Sequence, residues 1–199
     1  MLLYDAPESG NCYKVRLMLA RTGIAYDRVE LSVTDRSDRE RTLGREANPA
    51  LRVPTLRLDD GRHLAESGAI LWYLAEGTHL LPADAFERAK VLQWMFFEQY
   101  EHEPNVAAAR FWLHLGGPAP EPGELAARQE GGRRAIAAME WHLGTHDFLA
   151  ADRFTIADIA LYAYTHVADE AGIDLRPFPA VTAWLARVAA QPGHIPIEA

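Results

Sequence analysis

Residues 48–73 constrain the fold of this chain more than any other stretch. Residues 55–58 alternate polar and apolar side chains, as a half-buried strand does. Asp59-Asp60-Gly61 predicts a tight turn, and Arg62-His63-Leu64 the returning strand of a hairpin. The apolar run 69–74 then predicts a buried helix. The stretch therefore specifies a strand hairpin that leads directly into a helix.

Two short motifs flank this hairpin and predict a binding site. Pro54 stands at its first residue, where a missing N–H is tolerated. X–Pro bonds alone adopt the cis form at low cost, and a cis bond here would turn the backbone of Val53 outward to pair with an extended peptide. Glu66 and Ser67 precede the helix, whose unpaired N–H groups and positive dipole end suit a carboxylate. Together these features predict a site for a small acidic peptide.

Charge and composition exclude several classes of protein. The 199 residues carry a net charge of −8, from 20 basic and 28 acidic side chains. Nucleic-acid binders normally show a basic face, so we expect neither nucleic acid nor an anionic membrane as partner. The chain begins without a basic region and has no apolar run of the ~20 residues that span a bilayer, so we expect a cytoplasmic protein. Cys12 is the single cysteine, which allows no internal disulfide.

The run Asn-Pro-x-x-x-Val-Pro-Thr-Leu, followed by the hairpin and Glu66-Ser67, resembles the glutathione-binding half of the glutathione S-transferase family. The resemblance covers nearly the whole chain. It implies an α/β thioredoxin-like domain of order β-α-β-α-β-β-α at residues 1–76, a linker at 77–85 and an all-α domain at 86–199. It also implies glutathione as co-substrate, a homodimer and a role in detoxification.

The second half of the chain has a pattern of helices only. Residues 86–115 show helical spacing, which Pro104 should kink or break. Gly131-Gly132 should weaken the next helix. Thr155 and Asp158 have the spacing of a capping box, a feature that this family carries in its helical domain.

The loop before the first helix is the candidate catalytic loop. A free thiol has a pKa of about 8.5, which a helix N-terminus or a hydrogen-bond donor lowers. The loop offers the Ser9 hydroxyl, the Asn11 amide and the Cys12 thiol. By its spacing from Pro7, Ser9 is similar to the serine of bacterial, theta- and delta-like members, which donates to the glutathione sulfur. Asn11 is the alternative donor. Ser9 could instead only cap the helix, and Cys12 could be a small buried side chain or a mixed-disulfide nucleophile.

The resemblance assigns the remaining contacts to the other half of the motif. Glu66 and Ser67 are expected to hold the γ-glutamyl end of glutathione, and Val53, with a cis Pro54, its cysteinyl backbone. Arg52 is the candidate for the glycine carboxylate.

One departure from the family pattern lies beside Arg52. Leu51 stands where serine-type relatives often carry a histidine. Arg39 is a second candidate for the glycine carboxylate, although no motif anchors it.

Two further sets of side chains could take part in chemistry. Aromatic walls suit an apolar electrophile, and Tyr100, Phe111 and Trp112 are the candidates for them. His142 and His146 stand four residues apart, but no third ligand accompanies them, so no metal site is expected.

These patterns predict a glutathione S-transferase that joins the glutathione thiol to an electrophilic, largely apolar compound. One alternative is a non-enzymatic binding or regulatory module with the same fold. Another is a glutathione-dependent disulfide reductase or isomerase. The isomerase relatives carry Ser-Ser-Cys where this chain has Ser9-Gly10-Asn11, which counts against that alternative.

Overall fold

The computed structural model describes residues 1–199, which group into two compact units. The first unit contains Met1–Glu76 together with Pro192–Ala199, and the second contains Gly77–Gln191. None of the helices is long and apolar enough to cross a bilayer.

The first unit is a four-stranded sheet with three helices. Its elements are β1 (Leu2–Asp5), α1 (Gly10–Thr22), β2 (Asp27–Glu30), α2 (Arg39–Thr42), β3 (Thr55–Arg57), β4 (His63–Ala65) and α3 (Ser67–Ala75). The strand order is β2-β1-β3-β4, with β1 parallel to β2 and antiparallel to β3, and β3 antiparallel to β4. The predicted thioredoxin-like order β-α-β-α-β-β-α is confirmed.

The segment Pro192–Ala199 lies in the first unit, not in the helical domain to which the sequence pattern assigned it. Its backbone carbonyls accept hydrogen bonds from side chains of α1. Tyr13 Oη donates to Ile195 O at 2.6 Å, and Arg21 Nη1 donates to Pro192 O at 2.8 Å. Such contacts join residues far apart in the chain and leave no periodicity by which a sequence could reveal them.

The second unit contains helices and no named strand. Its elements are α4 (Ala85–Phe97), a π-helical turn (Glu98–His102), α5 (Glu103–Leu113), α6 (Glu124–Leu143), α7 (Ile156–Thr165), a 3₁₀ turn (Ala168–Ala171) and α8 (Pro179–Ala189). The one β-type pairing beyond β4 is an isolated bridge between Ala150 and Arg153. The predicted all-helical character is confirmed.

The residues expected to form a linker, 77–85, are partly core residues of this unit. Leu80 and Leu81 are buried, and Leu80 O accepts a hydrogen bond from Ile156 N at 3.2 Å. Apolar side chains within a Gly- and Pro-containing stretch explain why it packs against α7 and does not act as a loose spacer.

The expected break near Pro104 is a π-helical turn. The N–H of Glu103 bonds to Glu98 O, five residues back, in place of the usual four. Pro104 itself lies in the first turn of α5, where a missing N–H costs least. The chain therefore continues as a helix on both sides of the proline.

Gly131 and Gly132 do not interrupt α6, which runs unbroken over Glu124–Leu143. A Cβ on Gly131 would lie 2.4 Å from Asn105 Oδ1, and one on Gly132 would lie 2.6 Å from Ile173 Cδ1. The two glycines let α6 approach its neighbours closely, and that packing compensates for their low helix propensity.

The predicted capping box at the start of α7 is confirmed. Thr155 Oγ1 accepts from Ala157 N at 3.3 Å, and Thr155 N donates to Asp158 Oδ2 at 2.8 Å. The other oxygen of this fully buried carboxylate accepts from Leu149 N at 3.1 Å and from Trp184 Nε1 at 2.9 Å. Burial raises the pKa of Asp158 to about 6 against the opposing effect of these hydrogen bonds.

Candidate active site

Three segments of the first unit leave the sheet at the same edge. Tyr4 pairs with Thr55, and Thr55 pairs with Ala65. The loop after β1, the turn before β3 and the start of α3 therefore lie together. These segments carry most of the residues predicted from sequence, namely Ser9, Asn11, Arg52, Val53, Pro54, Glu66 and Ser67.

Ser9 is the N-cap of α1. Its Oγ accepts a hydrogen bond from Cys12 N at 3.3 Å, and its own N–H donates to Ala6 O at 3.0 Å. Accepting an N–H uses a lone pair of the hydroxyl oxygen, and the hydroxyl proton can still be donated elsewhere. The two interpretations of Ser9, as cap and as donor to a sulfur, are therefore compatible in one geometry.

Asn11 connects the catalytic loop to the start of α3. Its Oδ1 accepts from Ser67 Oγ at 3.3 Å and from Lys14 Nζ at 2.7 Å. Lys14 is 1% exposed, so this cation is held inside the protein. The amide oxygen of Asn11 thus accepts from its own helix and from the start of α3, and an amide NH₂ group is by its chemistry a donor.

Cys12 is a buried thiol. It is fully buried, and its Sγ accepts from Ala6 N at 3.3 Å. Burial, with a smaller effect from the charge of Asp5, raises the pKa of Cys12 to about 12. Since the thiolate is the reactive form of cysteine, the burial and the raised pKa of Cys12 both count against the mixed-disulfide alternative.

The turn before β3 is held by a buried asparagine. The Val53–Pro54 peptide bond is cis. Asn48 Nδ2 donates to Arg52 O at 2.9 Å and to Thr55 Oγ1 at 3.0 Å, on both sides of this bond. The contacts explain why an asparagine begins the Asn-Pro motif.

The two candidate arginines have different environments. Arg52 has an exposed side chain. Arg39 is buried, and its two terminal nitrogens donate to Leu51 O at 3.0 Å and to Ser32 O at 2.7 Å. Arg39 therefore holds the loop in place and is not a ligand candidate, which corrects the second choice made from sequence.

Glu66 and Ser67 form the start of α3. Glu66 has a left-handed φ of 68° and an exposed side chain, and its carbonyl accepts the first helical bond, from Ile70 N at 2.9 Å. Ser67 is the first helical residue, and it is buried. Its Oγ donates to Asn11 Oδ1. The backbone N–H groups of this first turn lack partners within the helix and suit an anion.

The aromatic candidates belong to the second unit. Tyr100 lies in the π-helical turn and is 81% exposed. Phe111 and Trp112 lie near the end of α5 and are half-buried, and Gly117 packs directly against the ring of Phe111. Tyr100 and Trp112 thus keep exposed aromatic surface, whereas the ring of Phe111 is partly covered by Gly117.

The histidine pair is stacked. The rings of His142 and His146 are parallel within 6° and 4.1 Å apart. Each ring also contacts a carbonyl oxygen, Phe148 O for His142 and His142 O for His146. Parallel stacked rings do not direct two nitrogen lone pairs at one ion, and the chain has no cluster of three potential metal ligands.

Comparison with known proteins identifies the family. Residues 3–79 match the family model described as glutathione S-transferase, N-terminal domain, and residues 98–192 match the C-terminal domain of the same family. The chain belongs to the glutathione S-transferase family.

The relatives of this glutathione S-transferase family member include bacterial and plant proteins. The crystal structure of a possible glutathione S-transferase from Rhodopseudomonas palustris is 49% identical, with a TM-score of 0.92 over 99% of this chain and 97% of that chain. Glutathione S-transferase 3 of Zea mays is 31% identical over 96% of this chain and 89% of the relative. The disulfide-bond oxidoreductase YfcG of Escherichia coli is 29% identical over 96% of this chain and 90% of the relative. The prediction of a transferase of this family is confirmed.

No sequence motif pointed to Lys14, which the structure places beside Asn11. On the sequence, a lysine on the first helix looks like part of a solvated face. The available signal was its position three residues after Asn11, since side chains at i and i+3 meet on a helix.

Proposed function

We propose that this chain is a cytoplasmic glutathione S-transferase that joins the thiol of glutathione to an electrophilic, largely apolar compound, in a detoxifying role. The observation that carries the proposal is the hydrogen-bonded set Lys14–Asn11–Ser67 beside the Ser9 cap. It links the expected anion site at α3 to the expected thiol site at α1.

Glutathione is bound along the sheet edge in this proposal. Ser67 and the first turn of α3 hold the γ-glutamyl carboxylate, and Glu66 accepts from the ammonium group. The backbone of Val53 pairs with the cysteinyl residue. The exposed Arg52 holds the glycine carboxylate by a charge-assisted contact.

The thiol is activated at the start of α1. The Ser9 hydroxyl donates to the sulfur, and the helix N-terminus and the buried Lys14 favour the negative charge. The thiol proton passes to solvent. The thiolate then attacks the electrophilic carbon, an S–C bond forms, and with an aryl halide the halide ion leaves with its electron pair. Asn11 is the alternative donor to the sulfur.

The electrophile and the oligomer complete the proposal. Tyr100 and Trp112, with Phe111, supply aromatic surface for an apolar substrate. The protein acts as a homodimer, by analogy with the family. Sedimentation as a monomer at micromolar concentration would contradict the homodimer.

A second candidate activity is glutathione-dependent disulfide reduction. Its support is the relative named a disulfide-bond oxidoreductase, which spans nearly the whole chain. Cys12 is buried with a raised pKa, so in this proposal the activity uses the thiol of glutathione and no thiol of the protein. Cys12→Ser removes the thiol but keeps an acceptor for Ala6 N, so it should leave either activity within about threefold of the parent.

The function is tested by retention on immobilised glutathione and by turnover of a general aryl halide. Ser9→Ala should lower kcat and raise the pH at which bound glutathione ionises, with little change in KM. If Asn11→Ala shifts this ionisation and Ser9→Ala does not, Asn11 is the donor. Failure of the parent in both assays would favour the non-enzymatic binding module, and reduction of a mixed disulfide without aryl transfer would favour the reductase.

A further inference from the structure

Arg16 is a fully buried cation that the proposed reaction does not use. Its Nη1 donates to Asp5 Oδ1 at 2.6 Å and to Ala6 O at 3.3 Å. Its Nη2 donates to Pro7 O at 2.7 Å and to Ile197 O at 2.5 Å. A buried guanidinium requires such partners, because an unpaired buried charge is costly. One side chain therefore joins the end of β1, the catalytic loop and the segment Pro192–Ala199.

The contacts of Arg16 with the loop lie directly before Ser9. Ala6 O, which accepts from Arg16, also accepts from Ser9 N at 3.0 Å, and Pro7 O is the next carbonyl along the chain. The guanidinium thus fixes the carbonyls on which the position of Ser9 depends. Moving Arg16 would move the Ser9 hydroxyl.

A second arginine, Arg28, also connects the segment Pro192–Ala199 to the carboxylate of Asp5. Arg28 Nη1 donates to Ala199 O at 3.0 Å, while its Nε lies 3.0 Å from Asp5 Oδ2. Asp5 is thus held between two arginines, and both of them also bind the backbone of this segment. The coupling between the segment and the end of β1 is therefore built from two independent side chains.

The packing of the segment against α1 is close. Ile197 is buried. Gly193 has a left-handed φ of 73°, and a Cβ added to it would lie 2.9 Å from Arg21 Cα. Backbone contacts of this kind depend on the segment being seated, and they are lost together when it leaves.

We propose that Arg16 is a positioning residue for thiol activation and that docking of Pro192–Ala199 completes its hydrogen-bond set. When the segment leaves, the Arg16 donor that served Ile197 O has no protein acceptor, and the guanidinium turns toward water. The Ser9 loop then loses its anchor, while the glutathione contacts at Val53 and Ser67 stay in place. The inference rests on the proposed function, because its kinetic effect is an effect on glutathione ionisation.

The test uses the full chain with Ile197→Asp, which places a charge at a buried position and keeps every donor of Arg16. We expect kcat for the aryl halide to fall on the order of tenfold and the ionisation of bound glutathione to move to higher pH, with KM for glutathione within about twofold. Glu198→Gln, at the exposed neighbouring residue, is the matched control. It should have the kcat, the KM and the glutathione ionisation of the parent. Gly193→Ala is a second, smaller disturbance and should act in the same direction.

Amide hydrogen exchange gives a readout that needs no glutathione. Protection of the Ser9 amide, bonded to Ala6 O, should fall in Ile197→Asp and stay unchanged in Glu198→Gln. Arg16→Lys should likewise lower the protection of the Ser9 amide, since one ammonium group cannot make all the hydrogen bonds of the guanidinium. If Ile197→Asp changes neither the exchange nor the ionisation while the parent turns over glutathione, the inference is wrong. If the parent neither binds nor ionises glutathione, the proposed function fails. The exchange result alone then shows whether the segment Pro192–Ala199 is coupled to the loop that carries Ser9.

Discussion

The Nζ atom of Lys14 lies 2.7 Å from Oδ1 of Asn11, and Ser67 Oγ reaches the same oxygen from α3 at 3.3 Å. A buried ammonium thus holds the amide oxygen that also accepts from the first residue of α3. An ammonium in the interior requires acceptors of this kind. In the proposed function, these contacts connect the residue that holds the glutamyl end with the helix start where the thiol is activated.

The first prediction concerns that ammonium. Lys14→Met keeps the length of the side chain and removes its charge, so the pH at which bound glutathione ionises should rise and kcat at neutral pH should fall. Raising the pH should restore much of the loss, because the thiolate is then formed without assistance. Ultraviolet absorbance of bound thiolate measures the effect. Lys90→Met, which removes the other lysine of the chain from α4, should leave the titration unchanged. Identical titrations for the parent and Lys14→Met would contradict this role.

The second prediction separates binding from activation. In the proposed complex the Ser67 hydroxyl turns its proton from Asn11 Oδ1 to the glutamyl carboxylate. Ser67→Ala removes this donor, whose contact with the carboxylate is made equally before and during the reaction, so KM for glutathione should rise with kcat little changed. Hydrogen bonds to charged groups contribute about 1.5–3 kcal/mol, which corresponds to a rise of about tenfold or more. Steady-state kinetics with glutathione as the varied substrate measures it. Ser37→Ala, in an exposed loop, is the control. A fall in kcat at constant KM would place Ser67 in the chemical step.

The third prediction is a pH dependence of stability from Asp158. Its pKa is raised from 3.8 to about 6 in the folded state, so the folded protein binds this proton more tightly than the unfolded chain. The resulting stabilisation is complete below pH 3.8 and is lost as the pH rises through about 6. A shift of about two units corresponds to about 3 kcal/mol.

The comparison that isolates this effect is with Asp158→Asn, which cannot titrate. The free energy of unfolding of the parent minus that of the variant should fall by about 3 kcal/mol between about pH 3 and pH 7. Urea denaturation at a series of pH values measures both terms. A difference that stays flat or rises with pH would show that the folded-state pKa is not raised.

The fourth prediction concerns the close approach of α6. Gly132→Ala should lower the free energy of unfolding by about 1–3 kcal/mol, since the new methyl group would meet Ile173 Cδ1 at 2.6 Å. Gly144→Ala is the matched control. It lies at the end of the same helix with φ −62°, and its Cβ would make contacts no closer than 3.4 Å, so stability should be unchanged or higher. Equal effects of the two substitutions would mean that helix propensity, not packing, governs Gly132.

Local signals predicted several parts of this structure correctly. Three of these parts depend on residues a few positions apart in the chain. They are the hairpin at β3 and β4, the start of α3, and the capping box of Thr155 and Asp158. In such cases spacing along the chain already determines which donor meets which acceptor. The prediction that Ser9 and Ser67 belong to one site also rested on a local order of motifs, and the sheet register places both segments at one edge.

Sequence alone therefore determined the order of elements, the family and the segments that form the candidate site. Tertiary structure alone decided that Lys14 and Arg39 are buried, that Arg16 joins the catalytic loop to Pro192–Ala199, and that Gly132 serves close packing. The physical reason is that burial and long-range hydrogen bonds depend on which elements come into contact. The sequence pattern around an isolated lysine or arginine in a helix does not depend on whether water or a backbone carbonyl accepts its hydrogen bonds.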